Sequence, residues 1–130
     1  MKFDRTGVIL YTIEYKKCIE FYENILGLKK MFESEILTCF EFGKSYLMVE
    51  LDNEYNGQKT EPERTKTCLR MNVPNVKILA EQLTSKNIKV DYQEHSWGII
   101  AKFFDPDGNL CAFKDSGTFE KQITDFKLNR

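Results

Sequence analysis

A carboxylate and a guanidinium, Glu50 and Arg70, stand inside two short apolar runs, YLMVEL and KTCLRMNV. Charges in the middle of such runs are costly to bury unless paired, so the first expectation is that they pair with each other. The functional alternative is that Arg70 fixes an anionic or carbonyl group of a ligand while Glu50 accepts a proton or a cationic group, which makes Glu50 the candidate base. Cys68 could act as a nucleophile only with a base beside it. The one histidine, His95, lies in the polar stretch QEHS, so Cys68 reads as an inert buried thiol. No HxH, HxxxH or ExxH cluster offers metal-ligand spacing. Trp97, the only tryptophan, precedes Gly98 and presents either a plane for stacking on a flat ligand or a half-buried rim.

The elements that position these groups are organised around WGIIAKFFDPDGNLCAFK, Trp97 to Lys114. Proline at the second turn position, aspartate at the first and glycine at the fourth specify a turn at 105–108, with β-forming residues on both sides. Upstream, 6–13 reads as a strand. Tyr15, Cys18, Ile19, Tyr22, Ile25 and Leu26 fall on one face of a helix that Gly27 closes. Strands come next at 28–34, 35–42 and 46–51, with a turn at 43–45. The stretch 52–64 is nearly devoid of apolar residues and reads as a surface connection. Beyond it come a strand at 66–73, a helix opened by Pro74-Asn75 with Val76, Leu79, Ala80 and Leu83 on its apolar face, a terminator at Asn87, a strand at 88–93 and the hairpin.

The order β-α-β-β-β thus occurs twice in a single domain of 130 residues: module one 5–51, linker 52–65, module two 66–116 and a tail 117–130. Each half alone is too small to be stable, which predicts that the two pair their sheets. Phe119, Ile123 and Phe126 in the tail are at helical spacing, giving a short helix docked on the body or on a second subunit, or else a frayed end.

Nineteen Lys and Arg are balanced by twenty Asp and Glu with no basic stripe, so no nucleic-acid partner is predicted. No apolar run approaches the roughly 20 residues that span a bilayer, and MKFDRTG lacks the apolar stretch of a signal peptide. Cys18, Cys39, Cys68 and Cys111 are widely spaced in apolar segments without a CxxC pair, which reads as reduced thiols of a cytoplasmic protein.

Two signatures resemble the vicinal oxygen chelate superfamily, which includes glyoxalase I, bleomycin-resistance proteins, fosfomycin-resistance enzymes and extradiol dioxygenases. One is FYENILGL, Phe21 to Leu28; the other is Trp97-Gly98 followed by Phe103, Phe104 and DPDGN. The resemblance covers 6–116. It implies an α+β fold in which two βαβββ modules form one cupped mixed sheet, with helices outside and the ligand in the hollow. It also implies that the family's metal-ligand positions fall on Gly7, Glu50, Cys68 and Ala112. Only Glu50 matches; glycine and alanine offer no donor, so metal chemistry of the family type is expected to be lost and no cofactor is predicted. With a strand period of two, these positions mark the inward set: Gly7, Ile9, Tyr11, Tyr46, Met48, Glu50, Cys68, Arg70, Asn72, Leu110, Ala112 and Lys114. The alternate residues are uniformly apolar and suit packing under helices, whereas the inward set suits a partly solvated cavity. Tyr11, Tyr46, Met48, Glu50, Cys68, Arg70 and Trp97 are therefore the expected ligand contacts. The implied function is metal-free binding of an aromatic or antibiotic-like small molecule, as in bleomycin-resistance proteins. The alternatives are a metal-dependent lyase, isomerase or dioxygenase, and a metal-free enzyme using Glu50 as base. A homodimer, with a cleft within one chain or between two, is expected from the same resemblance.

Overall fold

Strand β1 (Arg5–Thr12), with the consecutive β-forming residues Val8, Ile9, Leu10 and Tyr11, lies at the centre of the sheet and pairs on both sides. β4 (Ser45–Leu51) joins it in parallel, with Gly7 opposite Tyr46 and Tyr11 opposite Glu50. β5 (Thr67–Val73) joins it antiparallel, with Gly7 opposite Arg70 and Ile9 opposite Cys68. The remaining strands are β2 (Lys30–Glu33), β3 (Leu37–Phe42), β6 (Asp91–His95), β7 (Gly98–Phe104) and β8 (Leu110–Asp115), and all eight form one mixed sheet in the order β2-β3-β4-β1-β5-β8-β7-β6. The fold is α+β. This computed structural model describes residues 1–52 and 65–129, so the expected connection over 52–64 lies, Asp52 apart, outside the described residues.

Helices cover both faces of the sheet. On one, Val76, Ala80 and Leu83 of α2 (Val76–Ser85) pack against Val73, Ala101 and Phe113. Asn75 caps α2 by accepting from the Ile78 N–H at 3.1 Å, and Asn87 ends it with φ of +65°. Helix α1 (Tyr15–Glu20) lies against β4, with the Tyr15 hydroxyl 2.8 Å from that of Thr38.

The first helix departs from the sequence expectation. From Phe21 to Ile25 it widens into a π turn, in which the Leu26 N–H bonds to the Phe21 carbonyl five residues back at 3.0 Å. The wider turn rotates the residues at its end off the 3.6 spacing. Ile25 and Leu26, expected on the buried face, are instead 71% and 52% exposed. Gly27 still closes the segment, with φ of +70°. In the second half, 88–90 is not strand, and β6 begins at Asp91.

The other face is where the structure departs most from a solvated hollow. The tail is neither frayed nor short. It forms α3 (Ser116–Leu128), which packs on this face with Phe119 and Ile123 buried among Ile9, Phe32, Tyr46, Met48 and Cys68. Burial of each of these two side chains contributes about 2 kcal/mol. The inner part of the expected cavity is therefore core.

One close approach makes this packing work. The Tyr46 ring lies directly over Gly7, where a Cβ would collide with two ring carbons, and its hydroxyl donates to Asn72 Oδ1 across β1 at 2.7 Å. Phe119 then seats on Tyr46 with ring centroids 4.6 Å apart, and on Phe32 at 5.4 Å.

The start of α3 is fixed by Asp115. Its carboxylate accepts from the Ile99 N–H (2.8 Å), the Thr118 N–H (2.9 Å), the Thr118 hydroxyl (2.8 Å) and Lys114 Nζ (3.0 Å), tying β7, β8 and α3 together. Burial works to raise its pKa, but these donors hold it well below the ordinary carboxylate range. Gly98 permits the arrangement, because a Cβ there would collide with Lys114 Nζ.

Gly7→Ala should force the Tyr46 ring off its seat and cost about 1–3 kcal/mol in urea melts; a loss under about 0.5 kcal/mol contradicts the close approach. For Asp115, whose folded pKa is depressed, the stabilisation is complete above the unfolded value of about 3.9 and disappears as pH falls below it. The stability gap between wild type and Asp115→Asn should therefore shrink steadily below about pH 4. A pH-independent gap assigns Asp115 no electrostatic role.

Candidate functional site

Strand register decides which of the candidate side chains meet. Tyr11 and Glu50 are paired positions, whereas Arg70 is opposite Gly7, four residues back along β1. At about 3.3 Å per residue this offset is about 13 Å along the strand. The expected Glu50–Arg70 ion pair is accordingly not formed, and Arg70 acts on Glu50 only through space. Burial raises the Glu50 pKa, Arg70 and Lys102 oppose the rise, and Asp52 reinforces it. Burial thus favours the neutral form of this carboxyl relative to an exposed one.

Arg70 is only 8% exposed, and among the described residues its Nε has no hydrogen-bond partner. Two residues along the same face of β5, Asn72 is 1% exposed; its Oδ1 takes the Tyr46 hydroxyl, and its Nδ2 has no partner. Buried donors left unpaired cost about 1–3 kcal/mol each. Burial pushes the Cys68 thiol pKa up, with Arg70 and Lys102 pulling it down, so the thiol stays protonated at neutral pH. Cys39 is pushed up to about 12, chiefly by burial. Burial also raises the Tyr11 phenol, which therefore remains a neutral donor.

The sequence-predicted contacts divide into three groups. Tyr46, Met48 and Cys68 belong to the packed core beneath α3. Tyr11 and Glu50 sit toward the other end of the same face, partly exposed, while Arg70 shares the Gly7 row with Tyr46, on the side of Cys68 away from Glu50. Trp97 is at the far rim, half exposed, stacked on His95 at 4.4 Å and 9° and 5.8 Å from Lys114 Nζ. Lys102, opposite Ala112 on β7, is a site residue that the sequence did not single out, and its charge reaches Glu50 and Cys68. Alternation along GIIAKFF carried the signal, since Lys102 shares a face with buried Ile100.

The donor set does not fit the metal implied by the fold. At the four corresponding positions Gly7 and Ala112 carry no ligating atom. Among the described residues, no group of three or more His, Cys, Asp or Glu could hold an ion. The space above Gly7 is taken by the Tyr46 ring.

The Glu50 environment is directly measurable. In a carboxyl-carbon NMR titration Glu50 should titrate above the ordinary value, and further above it in Arg70→Met, because the cation that opposes the rise is gone. A midpoint at or below the ordinary value, or no change on removing Arg70, contradicts the described balance.

The family model described as Glyoxalase/Bleomycin resistance protein/Dioxygenase superfamily matches residues 2–113. Among solved structures, the chain is similar to a protein described as NAD-dependent benzaldehyde dehydrogenase from Legionella pneumophila, at 20% identity and TM-score 0.68, covering 85% of this chain and 97% of that one. It is similar to a glyoxalase/bleomycin resistance protein/dioxygenase superfamily member from Vibrio splendidus 12B01, at 15% identity and TM-score 0.58, covering 85% and 97%. It is also similar to methylmalonyl-CoA epimerase from Mycobacterium tuberculosis, at 17% identity and TM-score 0.56, covering 87% and 86%. At these identities the likenesses concern the fold. No curated protein matches the chain.

Proposed function

The chain belongs to the glyoxalase/bleomycin resistance protein/dioxygenase superfamily, and we propose that it binds a small organic molecule through an anionic or carbonyl oxygen held by Arg70. The observation that carries this reading is the buried, unpartnered Nε of Arg70, which an acceptor atom of a ligand would satisfy. Tyr11, Leu37 and Leu110, partly buried against the same core, supply apolar walls suited to an aromatic or antibiotic-like body. Glu50, with its raised pKa, takes the opposite end of the ligand as donor or acceptor. The balanced charge leaves nucleic acid aside as a partner, and among the described residues no helix is long and apolar enough to cross a membrane. Four free thiols support a reducing, cytoplasmic setting, and the family likeness supports a homodimer.

A second reading has a specific observation behind it. Burial shifts Glu50 toward the range of a working general base, so a metal-free proton abstraction at this site is the enzymatic version of the same proposal. One structural neighbour is named as an epimerase, which is in keeping with this reading but says nothing of which substrate this chain takes.

Calorimetry against a panel of aromatic carboxylates and ketones tests the binding reading. At least one compound should bind, and Arg70→Met should weaken it about tenfold or more while leaving the thermal transition cooperative. No binding by any compound, or equal binding by the variant, rejects Arg70 as the anchor. Stoichiometric Zn, Ni, Mn or Fe in the purified protein, lost in Glu50→Gln, would favour the metal-dependent alternative.

A further inference from the structure

A second cleft, separate from the Arg70 site, lies where the end of α3 meets the β3–β4 hairpin and β2. It measures about 400 Å³, within the range of small-molecule sites. Its floor is apolar: Met31 and Ile123 are buried, and Phe126 packs beside them. Its rim is basic. Arg5, Lys29, Lys30, Lys44 and Lys127 line it against one carboxylate, Glu41.

Most of these cations are already partnered. Arg5 Nε is 2.6 Å from Glu120, Lys30 Nζ is 3.0 Å from Glu33 and 3.3 Å from Glu23, and Lys29 Nζ is 4.0 Å from Glu41. Lys44 and Lys127 are different. Among the described residues, neither has a carboxylate within ion-pair distance, and both border the same cleft. Lys44 is carried on the tight hairpin turn after Gly43, whose φ is +62°, and Lys127 on the last turn of α3. The two cations without an ion-pair partner thus border one cleft with an apolar floor, one from the hairpin turn and one from the end of α3.

We propose that this cleft binds a small amphipathic anion, a phosphate or carboxylate on an apolar body, with the anionic group between Lys44 and Lys127 and the body on Met31, Ile123 and Phe126. A bare inorganic anion would leave the floor uncovered, and a neutral aromatic would leave both cations unmatched. The site therefore selects for the two features together.

Phenyl phosphate is the probe, with inorganic phosphate and benzyl alcohol as its two halves and phenylacetate as the carboxylate counterpart. Binding to the full chain is followed by calorimetry at low salt, and its place by methyl NMR of Met31, Ile123 and Met48. Phenyl phosphate or phenylacetate should bind about tenfold or more tightly than either half, shift Met31 and Ile123 but not Met48, and weaken about tenfold in Lys44→Glu/Lys127→Glu. Both lysines are exposed, so the double variant should keep the wild-type fold, which the methyl spectrum verifies. Absence of binding up to about 10 mM, binding unchanged in the double variant, inorganic phosphate binding as tightly as phenyl phosphate, or shifts centred on Met48 would each overturn the proposal.

Discussion

The crossing of the Tyr46 ring over Gly7 is the contact on which the rest of the molecule depends. A side chain at position 7 would occupy the space of the ring, and without the ring Phe119 would lose the closer of its two aromatic neighbours. The same tyrosine reaches Asn72 on the far side of β1, so the two halves of the sheet are joined by a buried side-chain hydrogen bond as well as by backbone pairing. Helix α3 is held onto this platform at its start by Asp115 and along its length by Phe119 and Ile123.

That packing divides one face of the sheet into two chemically different ends. Where α3 lies, the inward residues are core; toward the other end Tyr11 and Glu50 remain partly exposed, while in the Gly7 row Lys102 is partly exposed and Arg70 is buried with a donor to spare. The glycine at position 7 is then understandable in packing terms. A histidine or carboxylate at position 7 would collide with Tyr46, so a glycine there serves aromatic packing. The raised pKa of Glu50 has a packing cause too, since burial favours the neutral form of the carboxyl more than Arg70 and Lys102 favour its charged form.

Much of this was legible in the sequence, and for identifiable reasons. The period-two alternation in YLMVEL and CLRMNV separated the two sheet faces correctly, since Val73 and Phe113 pack under α2 while Ile9 and Met48 turn the other way. Gly27 and Asn87 announced helix ends, because few residues adopt a left-handed backbone. The π turn at Phe21–Ile25 was not legible, because the apolar spacing of that stretch fits an ordinary helix equally well. The placement of α3 was only half visible. Its spacing of Phe119, Ile123 and Phe126 marked a helix, but no local signal says which surface a terminal helix covers. The missing Glu50–Arg70 pair has a similar cause. A shared face follows from parity alone, whereas their separation follows from the register of two strands across β1.

Native-state hydrogen exchange across α3 decides whether this helix is part of the core. If α3 is part of the core, the amides of Phe119 and Ile123 should exchange only with global unfolding, at the same free energy and denaturant dependence as Ile9 and Met48 in the sheet. Exchange of the α3 amides through a local opening, insensitive to denaturant while the sheet stays protected, would contradict it and return the face beneath α3 to the open cavity.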